Sequence, residues 1–204
     1  HAVLDRVGIE LPTLAAGLEQ TRRAALGQAL TNRDGAAIQP GSRTYARAWI
    51  RDGADISSAF LQMGFPSEVA EFIRWYARHQ LPDGHVPCCI DRRGADNVAE
   101  HDSPGQFIWL VAQYYRFTRD VGLVADLWPN VVRAIEYLER LRAQRTTATY
   151  RVPAMEAFYG LLPESISHEG YAAHPVHSYW DDYWALAGLR AAPLLANAVG
   201  DLQR

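Results

Sequence analysis

Apolar residues recur at helical spacing over most of this 204-residue chain, and this periodicity constrains its fold more than any other feature. In the first periodic segment Leu14, Leu18, Ala25 and Leu26 fall on one face, as in a helix that packs against a core. The sequence predicts helices over residues 11–30, 54–64, 66–80, 103–120, 124–144 and 183–199. Because strands are nearly absent from this pattern, we predict an all-α fold.

The connections between these helices alternate between short and long. Gly64 and Pro66 separate the second helix from the third, and Gly122 separates the fourth from the fifth, so each pair is predicted to form an antiparallel hairpin. Loops of about 20 residues or more lie between the pairs, and such loops are usually functional in compact domains. We expect residues 1–204 to form one domain whose loop clusters meet at one end.

Composition and charge argue against several classes of partner and site. The formal net charge is −3, which disfavours nucleic acid. No window reaches the ~18 apolar residues of a membrane span, so we expect a soluble protein, either cytoplasmic or secreted. Cys88 and Cys89 are adjacent and are expected to be free thiols. The histidine spacings match no compact zinc pattern, and neither a metal nor another cofactor is predicted.

The segment Trp49–Gly53, "WIRDG", combines an aromatic ring with two opposite charges. Arg51 and Asp52 can donate to and accept from neighbouring sugar hydroxyls, while the Trp49 indole covers the C–H face of a sugar ring. The alternative is structural: Asp52 caps a helix, Arg51 is solvated and Trp49 packs in the core. The six Trp and ten Tyr of the chain fit either reading.

Glu164 is the first candidate for proton transfer. It follows Leu161, Leu162 and Pro163, and an apolar flank of this kind would remove water from the carboxylate and raise its pKa. A raised pKa suits a general acid. The alternative is an exposed loop glutamate.

Asp181 and Asp182 are further candidates, because they lie between Trp180 and Trp184 at the start of the last helix. The helix dipole favours the ionised form there and predicts a lowered pKa. Repulsion between the two acids acts in the opposite direction and could leave one of them protonated. We expect one of the two to cap the helix and the other to bind a hydroxyl.

Taken together, these motifs resemble the six-hairpin, or (α/α)6-barrel, glycosidases, and most closely their glucoamylase-like branch. The resemblance covers residues 43–192 and rests on "WIRDG", "DSPGQFIWLVAQYY", "GLLPES" and "YWALAGLRAA". It implies inverting hydrolysis of an α-linked glycosidic bond. It also implies that Trp49, Arg51 and Asp52 hold the sugar in the innermost subsite and that Glu164 is the general acid. The polar and aromatic residues beside these motifs are expected to contact the sugar as well: His101, Asp102, Gln106, His168 and Trp180.

The chain departs from that family at two points. Pro163 stands where those enzymes have Trp before the glutamate, whereas trehalase-like relatives place a Trp-Asp pair just before the helix, which nominates Asp181. We favour Glu164 on the helix-dipole argument. The second departure is length, since a complete barrel has roughly twice as many helices as the six predicted. We therefore expect about half a barrel, with the catalytic base supplied from outside this chain and a second copy or a companion chain completing it.

Two other functions fit the same residues. A polysaccharide lyase on a similar toroid would need a Tyr and His pair, for which Tyr171 or Tyr179 with His168 or His177 are the candidates. A carbohydrate-binding or assembly module without catalysis would need only the groove.

Overall fold

The computed structural model describes residues 2–170 and 173–201, and within them the fold is predominantly helical, as predicted. The six α-helices of these residues are α1 (Ala16–Thr31), α2 (Ile50–Gln62), α3 (Pro66–Ala77), α4 (Ser103–Thr118), α5 (Val121–Ala143) and α6 (Tyr179–Val199). Short 3₁₀ helices occur between them. The predicted loop at residues 146–178 contains two of these, at Ala148–Arg151 and Glu156–Phe158.

Two tight turns form the two predicted hairpins. Between α2 and α3, Gly64 has a φ of 81°, which a residue without Cβ adopts readily, and Pro66 begins the next helix. Between α4 and α5 the turn falls at Arg119 and Asp120 rather than at Gly122, which lies inside α5. The Asp120 side chain accepts a hydrogen bond from the Leu123 amide at 3.0 Å and so caps α5.

Helix α4 is the central element, because it packs against α2, α3, α5 and α6 and is buried over most of its surface. Where α4 meets α6, the main chains of the two helices are in direct contact. A Cβ added at Gly105 would lie 2.2 Å from the carbonyl oxygen of Trp184, and one added at Gly188 would lie 2.6 Å from the carbonyl oxygen of Gly105. The two glycines therefore allow the helices to approach more closely than any side chain would permit.

The structure also contains a small antiparallel sheet that the sequence did not predict. Its order is β1-β2-β3, with β1 at Ala48–Trp49, β2 at Cys89–Asp91 and β3 at Gly94–Asp96. Strands of two or three residues show too little alternation to be recognised in a sequence. The buried Tyr76 hydroxyl donates to the carbonyl oxygen of Pro87 at 2.9 Å and thereby attaches α3 to this sheet.

The predicted apolar face of α1 is only partly buried. Leu26 is in the core, but Leu14 and Leu18 are exposed. Leu14 lies in the 3₁₀ helix Thr13–Ala15, which leads directly into α1, and the other 3₁₀ helix, Ala2–Asp5, lies against the second half of α1 near Gly27. This part of the sequence prediction is wrong.

The outward face of α6 carries an exposed apolar stripe formed by Tyr179, Tyr183 and Leu186. These residues recur at helical spacing, as on a surface that packs against another helix. Within residues 2–170 and 173–201, no helix combines the length and the apolar character needed to cross a bilayer.

Candidate functional site

The first turns of α2, α4 and α6 lie at the same end of the molecule and bring charged groups together. Arg51, in the first turn of α2, places Nη1 at 3.0 Å from Glu100 Oε2 and at 3.7 Å from Asp102 Oδ2. Its Nε lies 3.9 Å from Asp52 Oδ2. One guanidinium thus connects the "WIRDG" segment with the acids that precede α4. These motifs were expected to meet, and they do.

Asp102 is the centre of the network and is fully buried. Its Oδ2 accepts hydrogen bonds from Trp180 Nε1 at 2.8 Å and from Gln106 Nε2 at 2.9 Å. Asp102 and Gln106 were expected to touch the sugar, but in this structure both are buried beneath Trp180. Asp102 holds the indole in place, Gln106 orients the Asp102 carboxylate, and the Arg51 guanidinium lies beside the same carboxylate.

Trp180 and His168 form an aromatic surface beside this network. Their ring centroids are 4.4 Å apart at 29°, and both side chains are partly exposed. Ser167 Oγ lies 3.1 Å from His168 Nδ1 and fixes the imidazole. His168 Nε2 also lies 3.2 Å from Glu169 Oε1, and Trp184 lies edge-on to the Trp180 indole with ring centroids 6.0 Å apart. Aromatic rings that keep part of their surface exposed are the kind of group that can pack against the C–H face of a sugar ring.

Asp181 is buried behind Trp180, with only 1% of its surface exposed. Its Oδ2 accepts a hydrogen bond from Ser165 Oγ at 2.6 Å, and its Oδ1 has no partner among the described residues. Burial and the nearby acids Asp102 and Asp182 together raise the pKa of Asp181 to about 7, against the bond from Ser165. Of the two opposing effects that the sequence suggested, the helix dipole is outweighed, because burial and the neighbouring acids favour the protonated form.

Asp182 lies on the neighbouring side of α6 and holds the loop rather than the helix. Its Oδ1 accepts a hydrogen bond from the Leu162 amide at 2.9 Å. Burial raises the pKa of Asp182, while this bond and the nearby His177 oppose the rise. The predicted helix cap is not made by Asp182. The N-cap of α6 is Ser178, and no side-chain capping hydrogen bond is formed there.

Glu164 differs from the prediction, because its side chain is 43% exposed and paired with two basic residues. It forms an ion pair with Arg145, and its Oε1 lies 3.2 Å from His177 Nε2. A hydrogen bond from its own backbone amide lowers the pKa of Glu164, and Arg145 and His177 lower it further against the effect of burial. The expected rise is wrong. The apolar neighbours Leu162 and Pro163 are buried, but they do not cover the carboxylate.

Trp49 and Asp52 lie at the edge of the site. Trp49 is partly exposed at the end of β1, with the Arg47 guanidinium 5.3 Å from its ring centroid. Asp52 does not cap α2, because the N-cap is Trp49 and no side-chain capping bond is made. Arg51 is ion-paired rather than solvated. The purely structural interpretation of "WIRDG" therefore fails for Asp52 and Arg51.

His101 is buried just before α4, and its Nδ1 has no partner among the described residues. Burial and the neighbouring His85 lower its pKa to about 4, so the imidazole is neutral at neutral pH. The sequence analysis missed Glu100, which lies two residues before the motif "DSPGQFIWLVAQYY", and Ser165, which is the last residue of "GLLPES".

The residues nominated for a lyase are not brought together in the described part of the chain. Tyr179 lies on the outward face of α6, stacked against Tyr183 at 6.3 Å. His177 Nδ1 lies 2.9 Å from the carbonyl oxygen of Leu162, and His168 is stacked on Trp180. Tyr171 lies outside the described residues.

The raised pKa of Asp181 makes stability depend on pH. Between the ordinary carboxyl pKa and about 7, the unfolded chain is ionised at this position while the folded protein keeps its proton. The contribution of Asp181 to the free energy of unfolding therefore falls by about 1.4 kcal/mol per pH unit across this window. Asp181→Asn lacks this contribution, so its stability relative to wild type is expected to improve from pH 4.5 to pH 7.5 in urea titrations.

Glu164→Gln provides the matched control. Because the pKa of Glu164 is lowered on folding, its contribution to stability is nearly complete above the ordinary carboxyl pKa and is lost only at lower pH. The stability of Glu164→Gln relative to wild type should therefore stay nearly constant from pH 4.5 to pH 7.5. If the free energy of unfolding relative to wild type changed equally with pH in both variants, Asp181 would not be a carboxyl group that stays protonated on folding.

Comparison with known families finds no family model that matches this chain. A search of curated proteins finds no relative either. Assignment of a function therefore depends on the geometry described above.

Proposed function

We propose that this chain carries the sugar-binding face and the proton donor of a glycoside hydrolase that cleaves an α-linked bond with inversion. The observation that carries the proposal is the buried carboxyl group of Asp181, directly behind Trp180 at the meeting point of three helix N-termini. A carboxyl group of this kind, next to an aromatic surface, matches what glycosidic bond cleavage requires.

Asp181 is the better proton donor of the two candidates. A pKa of about 7 leaves a large share of this group protonated at neutral pH, as a general acid requires. Glu164 is exposed and paired with Arg145 and His177, which favour its ionised form. The proposal therefore follows the trehalase-like alternative for the acid. Because Ser165 covers Asp181, it also requires the segment around Ser165 to move when sugar enters.

The sugar is proposed to lie against Trp180 and His168, with Trp49, Arg51 and Asp52 on the opposite side. The two stacked rings supply an apolar face, and the partly exposed carboxylate of Asp52 supplies a hydroxyl acceptor. Asp102 and Gln106 act through Trp180, since they hold its indole and are themselves buried.

The catalytic base is proposed to come from outside this chain. Inversion needs a second carboxylate roughly 6.5–9.5 Å from the acid to hold the attacking water. Glu164 is a poor base, because two basic neighbours lower its affinity for a proton. In a complete (α/α)6 barrel, the exposed stripe of Tyr179, Tyr183 and Leu186 would be covered by a further helix.

Binding and product analysis test this proposal. α-Linked oligosaccharides should quench the tryptophan fluorescence of the purified chain, and Trp180→Ala should weaken their binding by about 10-fold or more. The control is Tyr183→Ala, an exposed aromatic on the outward face of the same helix. Where turnover is detected, nuclear magnetic resonance should show the β-anomer as the first product.

Three results would point elsewhere. An unsaturated product that absorbs in the ultraviolet would indicate a lyase. Binding without turnover, after the missing base has been supplied, would indicate a non-catalytic module. Failure to bind any α-linked sugar would remove the carbohydrate assignment from this face.

A further inference from the structure

A second cluster of reactive side chains lies in the small sheet. Cys88 and Cys89 are buried free thiols, and their Sγ atoms are 3.7 Å apart. Cys89 Sγ lies 3.9 Å from Asp96 Oδ2, and one donor atom from each of the three residues falls within 4.8 Å of the others. The proposed glycosidase chemistry does not use this cluster.

The sheet itself brings these three side chains together. Cys89 is directly opposite Asp96 in the β2–β3 register, so both side chains project to the same face. Cys88 precedes β2, and its carbonyl oxygen accepts hydrogen bonds from the Ile50 amide and the Tyr76 hydroxyl, each at 3.1 Å. Successive residues within a strand would point to opposite faces, whereas here the two sulfur atoms stay adjacent.

The distances match those of a tetrahedral metal site. A zinc ion bonded to two thiolates at about 2.3 Å separates the sulfur atoms by about 3.8 Å, close to the 3.7 Å between Cys88 and Cys89. A carboxylate oxygen at about 2.0 Å from the same ion would lie about 3.5 Å from each sulfur, a few tenths of an ångström closer than Asp96 Oδ2 is to Cys89 Sγ. The remaining distance, from Cys88 Sγ to the Asp96 carboxylate, is no more than 4.8 Å, so these two groups would have to approach by up to about 1.3 Å to bind one ion.

We propose that Cys88, Cys89 and Asp96 bind one thiophilic divalent cation of the Zn²⁺ or Cd²⁺ type, with water in the fourth position. Each thiol exchanges its proton for a sulfur–metal bond, so two protons are released per ion. Two thiolates and a carboxylate around a divalent ion leave one negative charge. The Arg47 guanidinium, with Nη2 at 3.0 Å from Asp96 Oδ2, balances it.

The neighbouring groups can accommodate the ion. Arg47 also pairs with Asp91 at 3.1 Å, so it keeps a partner when Asp96 turns towards a metal. The Asp96 side chain is 32% exposed and gives the ion a route from solvent to the buried sulfurs. Two thiolate ligands select soft or borderline cations over Ca²⁺ or Mg²⁺.

Titration of the whole chain, reduced with a phosphine, tests this site. Cd²⁺ should bind at one ion per chain and produce sulfur-to-metal charge-transfer absorption, and Zn²⁺ should displace it. Calorimetry in buffers of different ionisation enthalpy should give two protons released per ion. No binding, a stoichiometry other than one, or the absence of proton release would overturn the proposal.

Substitutions distinguish the three proposed ligands from neighbouring residues that do not bind the ion. Cys89→Ser should abolish most of the absorption and weaken binding by on the order of 10²-fold or more. Because this buried substitution can also disturb folding, Asp96→Asn is the second variant, and it should weaken binding roughly 10-fold or more while both thiols remain. Asp91→Asn, which alters the other carboxylate beside Arg47, should leave affinity unchanged. Wild-type affinity in Asp96→Asn, or an equal loss in Asp91→Asn, would refute the assigned ligand set.

Discussion

Asp181→Asn is expected to lower the turnover of an α-linked substrate by about 10²–10⁴-fold in the active enzyme, with sugar affinity largely kept. The amide retains the shape of the side chain and can still accept the hydrogen bond from Ser165, but it cannot deliver a proton to the leaving oxygen. Measurement of kcat and KM on a natural linkage checks this. With a fluoride leaving group, which departs without protonation, the variant should recover most of its rate.

Glu164→Gln is the matched comparison, since it makes the same chemical change in a carboxylate that is already ionised. We expect a smaller loss in Glu164→Gln, with no recovery for the fluoride substrate. Near-normal turnover in Asp181→Asn together with collapse in Glu164→Gln would return the acid role to Glu164. Indifference to both substitutions would remove glycoside hydrolysis from this end of the fold.

Gly105→Ala is expected to destabilise the protein by about 3 kcal/mol or more. The added Cβ would lie 2.2 Å from the backbone carbonyl oxygen of Trp184, which cannot move aside as a flexible side chain can. Helices α4 and α6 would have to separate. Urea unfolding measures the loss.

Gly27→Ala is the control for this substitution, because Gly27 also lies inside a helix but its Cβ would meet only the Leu4 side chain at 3.7 Å. Because Ala favours the helical conformation more than Gly does, we expect Gly27→Ala to raise the free energy of unfolding by about 0.5–1 kcal/mol. A neutral result for Gly105→Ala would show that the two helices are not in backbone contact.

Local pattern predicted the helices and both hairpins, because apolar spacing and the residues Gly64 and Pro66 act over a few positions. The same pattern failed for Leu14 and Leu18, since periodicity shows that a face is apolar but not whether another element covers it. The small sheet was missed for a related reason: pairing between Cys89 and Asp96 is too short to leave a repeat.

Most residues of the candidate site were named from the sequence, but Glu100 and Ser165 were missed and the electrostatics were not predicted. Arg51, Asp102 and Trp180 were all singled out, and the structure joins them.

The expected rise in the pKa of Glu164 was wrong, because a hydrogen bond from its own backbone amide and the basic residues Arg145 and His177 lower it. For Asp181 the sequence indicated two opposing effects, and burial by elements distant in sequence decides the direction upwards. Arg145, 19 residues before Glu164, pairs with that carboxylate, and Ser165 together with the neighbouring helices removes Asp181 from water.

The backbone contact between α4 and α6 has a consequence for how the proposed sugar site could vary. Where two main chains touch, their spacing is set by peptide atoms that are common to all residues, and substitution cannot adjust it gradually. The distance from Asp102 to Trp180 is therefore a fixed dimension of the molecule. Under the proposed function, variation in the sugar bound would have to arise in the described parts of the loop before α6, residues 146–170 and 173–178, and in the segment before α2. Side chains there can be exchanged without moving α4 against α6.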